Sequence, residues 1–220
     1  PVAENKGNLI STRANKGIGI YVTYGTGKNS GTITMNNKNA VGMLATIGST
    51  LTNSKKIELN GISSAGIYGE NSDMTNSTIT SKIIVNKEKS VGMYAKLTSA
   101  STVLKKAKNE GEIEIKTDGD GKSAGMYSEI KSGSTVKLTT ENTGIIKVNQ
   151  KASAGIYAKN DSSQANTQSD VTNSGLVKMT GGSSVGIIGE KSQITNSGTG
   201  TGKGIEIYGT GSAGILANNN

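Results

Sequence analysis

Ser123-Ala124-Gly125-Met126-Tyr127 is one of eight variants of a motif, a small residue, Gly and an aliphatic pair, that recurs along this chain. The others are Gly17-Ile18-Gly19-Ile20-Tyr21, Ala40-Val41-Gly42-Met43-Leu44, Ser64-Ala65-Gly66-Ile67-Tyr68, Ser90-Val91-Gly92-Met93-Tyr94, Ser153-Ala154-Gly155-Ile156-Tyr157, Ser184-Val185-Gly186-Ile187-Ile188 and Ser212-Ala213-Gly214-Ile215-Leu216. Successive motif glycines lie 23, 24, 26, 33, 30, 31 and 28 residues apart. Periods in this range, with short strand signals and no helical patterning, define a solenoid in which each repeat stacks on the last.

Two further strand signals complete each repeat. One is a Ser/Thr-x-aliphatic segment, as in Ser134-Thr135-Val136-Lys137-Leu138, Asp170-Val171-Thr172 and Gln193-Ile194-Thr195. The other follows an Asn-x-Gly turn, as in Asn109-Glu110-Gly111-Glu112-Ile113-Glu114-Ile115 and Asn173-Ser174-Gly175-Leu176-Val177-Lys178-Met179. Related turns start at Asn5, Asn29, Asn142 and Asn196, with weaker versions at Asn53 and Asn76. Asn and Gly tolerate left-handed backbone angles, so a sharp corner is expected there. Three strands in about 23 residues leave no room for hairpins, and each strand must pair in parallel with its equivalent one coil on. The expected fold is therefore all-β, a right-handed parallel β-helix of about eight three-stranded coils. At ~4.8 Å per coil the rod would be roughly 38 Å long.

Alternation assigns the core. After the Asn-x-Gly turn, Ile33, Ile57, Ile83, Ile113, Ile146 and Val177 form one internal ladder, and Met35, Leu59, Val85, Ile115, Val148 and Met179 the next. Glu58, Glu114, Lys147, Lys178 and Glu206 face out, with Glu114–Lys147 and Lys178–Glu206 as favourable neighbours. In the motif strand the same rule puts Ala124 and Met126 inside, and Ser123, Gly125 and Tyr127 outside. That predicts an outward Gly ladder beside a partial Tyr ladder (Tyr21, Tyr68, Tyr94, Tyr127, Tyr157) that stiffens the rod. Longer repeats carry insertions, expected at 96–102, 116–122 and 159–169, where recognition would reside.

Composition narrows the function. The chain of 220 residues is 32% hydrophobic and 3% aromatic, without Phe or Trp, which fits a thin, repeatedly refilled core better than a wide globular one. Without Cys or His, thiol chemistry, disulfides, imidazole bases and the commonest zinc ligands are excluded. No run of about 18 or more apolar residues is present, so direct membrane insertion of this segment is not expected. The net charge of +8 comes almost wholly from dispersed Lys, with Arg13 the one arginine, unlike the clustered Arg/Lys and interleaved aromatics of a nucleic-acid groove.

Candidate chemistry is sparse. The five Asp residues (Asp73, Asp118, Asp120, Asp161, Asp170) fall in turns or insertions, so the paired carboxylates of glycoside hydrolysis are not assembled. Asp118-Gly119-Asp120-Gly121 lacks the further oxygen ligands of a calcium loop. Gly198-Thr199-Gly200-Thr201-Gly202-Lys203-Gly204 is one residue short of a phosphate loop and has Gly where Ser or Thr would bind magnesium. Asn76-Ser77-Thr78 and Asn160-Asp161-Ser162 match the glycosylation acceptor pattern, as chance allows in an Asn/Ser/Thr-rich chain. No catalytic, cofactor or metal residue is assigned, no cofactor is expected, and the ligand-binding residues remain unassigned.

The alternation of Ser-Val/Ala-Gly-Met/Ile-Tyr-Ala with Asn-x-Gly-x-Ile-x-Ile, from Asn5 through Ala217, resembles the passenger domains of large autotransporter (type V) adhesins of Gram-negative bacteria. The resemblance implies one β-helical segment over 1–220, part of a longer passenger, displayed at the cell surface or secreted. It implies attachment to a host-cell or bacterial surface protein or glycan, or to another copy of itself, without enzymatic activity. A passive stalk carrying a distal binding domain is the alternative, and a polysaccharide-active β-helix enzyme a third.

Overall fold

The computed structural model describes residues 1–12, 15–116, 120–164 and 167–219. Among them, 24 short strands form three parallel sheets of eight strands each, and every strand pairs with its equivalents in the coils before and after. The chain is a parallel β-helix of eight coils. The first sheet begins at Val2–Asn5 and ends at Ser192–Asn196, the second runs from Asn8–Ser11 to Gly204–Ile207, and the third, made by the motif strands, runs from Asn15–Thr23 to Ala213–Asn218.

The two ladders after the Asn-x-Gly turn lie where alternation puts them: all twelve side chains are fully buried. Their register holds through the rod, with Ile83 beside Ile57 and Ile113, and Val85 beside Leu59 and Ile115. Where the third sheet turns toward the first, the core keeps its volume by exchange across the coil. A Cβ on Gly69 would lie 2.5 Å from Met74 Cε, and one on Gly189 would lie 2.7 Å from Ile194 Cδ1. Large residues on one sheet thus occupy the space that glycine leaves on the other.

The asparagines do more than turn the corner. Asn5, Asn29, Asn53, Asn76, Asn109, Asn142, Asn173 and Asn196 form one continuous ladder, each Nδ2 donating to the Oδ1 of the next at 2.7–2.9 Å. None has a positive φ. The expectation that they sit there for left-handed geometry is corrected: Asn is needed because its amide both donates and accepts along the axis. Asn53 and Asn76 are full members. The Gly two residues on is required by close approach, since a Cβ on Gly144 would lie 2.1 Å from Gly111 O.

Left-handed residues do occur, at the corner before the motif strand. Ser63, Lys89, Lys122, Ala152 and Ser183 have φ of 55°, 57°, 62°, 49° and 53°. Each precedes a motif serine whose Oγ accepts the backbone N–H of the equivalent residue one coil earlier, as in Ser90 N to Ser123 Oγ at 3.3 Å and Ser153 N to Ser184 Oγ at 3.2 Å. Motif serines are therefore buried corner ties, not outward residues as alternation had placed them.

The inside-outside reading of the motif is also corrected. Gly92 and Gly125 face the core, and a Cβ on Gly125 would lie 2.6 Å from Ile146 Cγ2 and 2.7 Å from Gly155 O. The register pairs Val91 with Ala124 and Met93 with Met126 on either side of the glycine. Val91 and its equivalents consequently turn outward beside Tyr94. A local break in the pleat at glycine shifts the alternation by one residue.

Candidate attachment surface on the third sheet

Three side-chain rows run along the outer face of the third sheet, set by the register of the motif strands. The first is Val41, Ala65, Val91, Ala124, Ala154, Val185 and Ala213. The second is Leu44, Tyr68, Tyr94, Tyr127, Tyr157, Ile188 and Leu216, so the tyrosine ladder lies where it was expected. The third alternates in sign over five coils: Glu70, Lys96, Glu129, Lys159 and Glu190.

The four central tyrosines touch in series, with ring centroids 4.9, 4.8 and 5.1 Å apart and interplanar angles of 83°, 38° and 45°. The third row holds their hydroxyls. Tyr68 donates to Glu70 at 3.0 Å, Tyr94 to Glu129 at 2.8 Å and Tyr157 to Glu190 at 2.5 Å. Burial, reinforced by these carboxylates, pushes the phenols of Tyr68, Tyr94 and Tyr127 well above their ordinary value and that of Tyr157 up to about 12. Burial opposes ionisation of Glu70, yet hydrogen bonds from Lys96 and Tyr68 outweigh it and hold its carboxyl below the usual carboxylate range.

The Ala/Val row is the floor of a shallow groove. Tyrosines wall one side, and the left-handed corner residues Lys89, Lys122, Ala152 and Ser183 wall the other. Two stretches of about 470 and 490 Å³ share Val91 and Tyr127, so the groove is continuous along the rod. Its lining is mainly apolar, unlike the rest of this polar surface. Sequence reasoning missed it because the motif was read with Ala and Val inside.

Beside the charged row rises a ridge of loops. The third sheet leads into the first through residues 71–72 in coil 3, but through 98–104, 131–137 and 161–168 in coils 4, 5 and 6, residues 165 and 166 lying outside the described residues. These loops stack: Lys131 N donates to Leu97 O and Asp161 N to Ile130 O, both at 2.8 Å, and Ser162 Oγ donates to Ser134 O at 3.0 Å. Val103 and Leu104 are exposed on it. The insertions expected at 96–102 and 159–169 thus begin two residues later, and residues 117–119 of the one expected at 116–122 lie outside the described residues. The strand expected at Ser134–Leu138 lies in the 131–137 loop except for Leu138. The strand is Leu138–Asn142, because Asn142 must enter the asparagine ladder.

Other sequence candidates disperse. Asp118 and Gly119 lie outside the described residues; Asp120 pairs with Lys151 at 3.4 Å. Asp73 and Asp170 belong to strands, contrary to the expectation of turns, and stand in one outward row of the first sheet with Lys106 and Thr139 between them. Asn76 is fully buried in its ladder, and Asn160 is buried with Nδ2 donating to Thr167 O at 2.5 Å, so neither offers an accessible amide. The Gly198–Gly204 stretch is a turn entering the last strand of the second sheet. Glu114 neighbours Lys147 in register, but the Lys147 ammonium bonds Glu112 at 2.8 Å, and Lys178 lies 5.0 Å over the Tyr208 ring. Among the described residues no group of three or more acidic, His or Cys side chains converges to hold a metal ion, and no helix is long and apolar enough to cross a membrane.

These features define a parallel β-helix with one groove-bearing face. The family model for the BigA third pectate lyase-like domain matches residues 2–169, and the chain belongs to that family, which points to a bacterial surface protein. "Pectate lyase-like" describes the fold relationship and says nothing for or against catalysis. No curated protein and no solved structure matches the chain. The ladders run on without change of register from the matched region through Ala213–Asn218.

Proposed function

We propose that the chain is a non-enzymatic segment of a surface-displayed adhesin of the autotransporter type, a stiff rod that presents loops to a host-cell or bacterial surface protein or glycan. One observation carries this reading: three successive coils swell at the same corner into a stacked ridge, while coils 1–3 turn that corner in three residues or fewer. A rigid parallel stack fixes such loops relative to one another, so they act as one surface. Family membership supports the surface location.

The test replaces 98–104, 131–137 and 161–168 with the two-residue turn of coil 3, Asn71-Ser72. Binding of the fragment to cells and to a glycan and protein array should fall to background while its thermal unfolding stays cooperative. Unchanged binding would remove the ridge from the proposal. Absence of binding by the parent fragment would favour the passive stalk, a reading that the bare coils 2 and 3 support. Release of oligosaccharide from an anionic glycan would establish the enzymatic alternative instead.

A further inference from the structure

We propose that the third-sheet groove is a binding site for one free long-chain fatty acid, with its carboxylate at Lys89 and Lys122 and its hydrocarbon chain over Ala124 and Ala154. This goes beyond the attachment reading, since it concerns another face and holds whether or not the loops bind a foreign partner.

The floor of the groove presents methyl groups, and the polar atoms around it are already paired. The N–H groups of Ala124, Ala154 and Val185 donate to Ser90 O, Ser123 O and Ser153 O at 3.1, 2.9 and 3.0 Å. On the corner rim, Lys122 N and Ala152 N donate to Ala152 O and Gly182 O at 2.9 and 3.0 Å. On the opposite wall the Tyr94 and Tyr157 hydroxyls donate to Glu129 and Glu190. This stretch therefore offers contact surface rather than hydrogen bonds. A peptide or a sugar laid along it would bury its own amides or hydroxyls without partners, which is costly. A hydrocarbon chain has no such groups and gains from every methylene it takes out of water.

Shape and length fit one chain. The floor is a single side-chain row in which Ala124 and Ala154 are 7% and 4% exposed. The larger Val91 and Val185 flank them and are more exposed, so the row dips over two coils. The stretch encloses about 470 Å³. From Val91 to Val185 is three coil steps, about 14 Å at ~4.8 Å per coil. One acyl chain covers a similar length, half of a hydrocarbon core ~30 Å thick. A recess one row wide takes a single extracted chain and not the flat face of a bilayer.

Charge places the head. Lys89 and Lys122 stand on the corner rim in adjacent coils, whereas the equivalent residues of the next two coils are Ala152 and Ser183. Lys122 makes no ion pair among the described residues, and Lys89 reaches Glu88 at 3.9 Å. The lining of this stretch includes no carboxylate. Two cations at one end of an apolar trough select an anionic head and direct the chain toward coil 7.

Calorimetric titration with dodecanoate should show saturable binding of one molecule per chain, and octanoate should bind more weakly. Lys122→Glu should weaken dodecanoate by more than about tenfold and leave dodecanol unchanged. Ala124→Val combined with Ala154→Val raises the floor with a residue that the row already carries at Val91 and Val185, and should weaken both ligands. Folding is read separately from the thermal transition without ligand; if the valine pair lowers it, the exposed Lys122→Glu variant decides. Absence of saturable dodecanoate binding, or indifference to the valine pair in a folded chain, overturns the proposal. Equal weakening of dodecanol and dodecanoate by Lys122→Glu overturns the placement of the head. Binding confined to phosphatidylglycerol vesicles would assign the face to a bilayer, and a dimer broken by the valine pair would assign it to a second copy; either overturns the fatty-acid site.

Discussion

Asn109 shows how much rests on single residues in this rod. Its Nδ2 donates to Asn142 Oδ1 at 2.8 Å and to Gly111 O at 3.2 Å, while its Oδ1 accepts from Asn76 at 2.8 Å, all without solvent contact. Removing the amide strands buried partners on both sides, and each costs about 1–3 kcal/mol. Asn109→Ala should therefore destabilise by about 2–4 kcal/mol, against less than about 1 kcal/mol for Asn5→Ala at the solvent-accessible first rung; denaturant midpoints measure both. Thr140 is the converse case. It is fully buried, its Oγ1 finds no protein partner, and its row neighbours are Ala107 and Val171. Thr140→Val keeps the shape, discards the unpaired hydroxyl and should raise stability by about 1–2 kcal/mol, read as a shift of the midpoint upward.

At the scale of the element, the strands were legible where alternation is unbroken. The Ile33 and Met35 ladders follow period two and were assigned correctly from sequence. The motif strand was misread because glycine interrupts the pleat, and one skipped residue turns every preceding side chain to the other face. Nothing in Ser-Ala-Gly-Met-Tyr marks that break, since Ala and Val suit either face. The Leu138–Asn142 strand was missed for a related reason: Thr135 and Val136 carry β propensity, yet the ladder through Asn142 decides the register. Volume exchange between sheets is likewise invisible along one strand. It predicts coupling: Gly69→Ala should overpack against Met74 and cost about 1–3 kcal/mol, and adding Met74→Ala should recover part of that loss. A double-mutant cycle checks this, strict additivity being the contrary result.

Across the whole molecule, coils communicate only with their neighbours, yet the titrating groups of the third sheet join four coils into one stack. Their signs give the pH dependence. The phenols of Tyr68, Tyr94, Tyr127 and Tyr157 are raised in the folded state, so the stability they confer is complete below about pH 10 and is lost as pH climbs toward their folded values. Glu58, Glu70 and Glu112 are lowered, so their contribution is present above about pH 4.3 and is lost as pH falls through the folded values. Thermal midpoints should be flat between these limits and fall on both sides. On the alkaline side phenolate absorbance should lag until unfolding exposes the stack, and prompt titration near pH 10 would contradict the buried array.

Repeat spacing, the absence of Phe and Trp and the Asn-x-Gly turns were enough to determine a parallel solenoid of eight coils, because in-register stacking of like upon like is the one arrangement that satisfies so regular a pattern. Which face is groove and which is core, where the three loops gather, and how charges 26 to 33 residues apart become adjacent were settled only in three dimensions. The physical reason is that these properties belong to contacts between coils. Glu129 and Lys159 are distant on the chain and neighbours on the rod, and a single residue out of pleat at each motif glycine decides whether the Ala/Val row beside them faces the core or the groove.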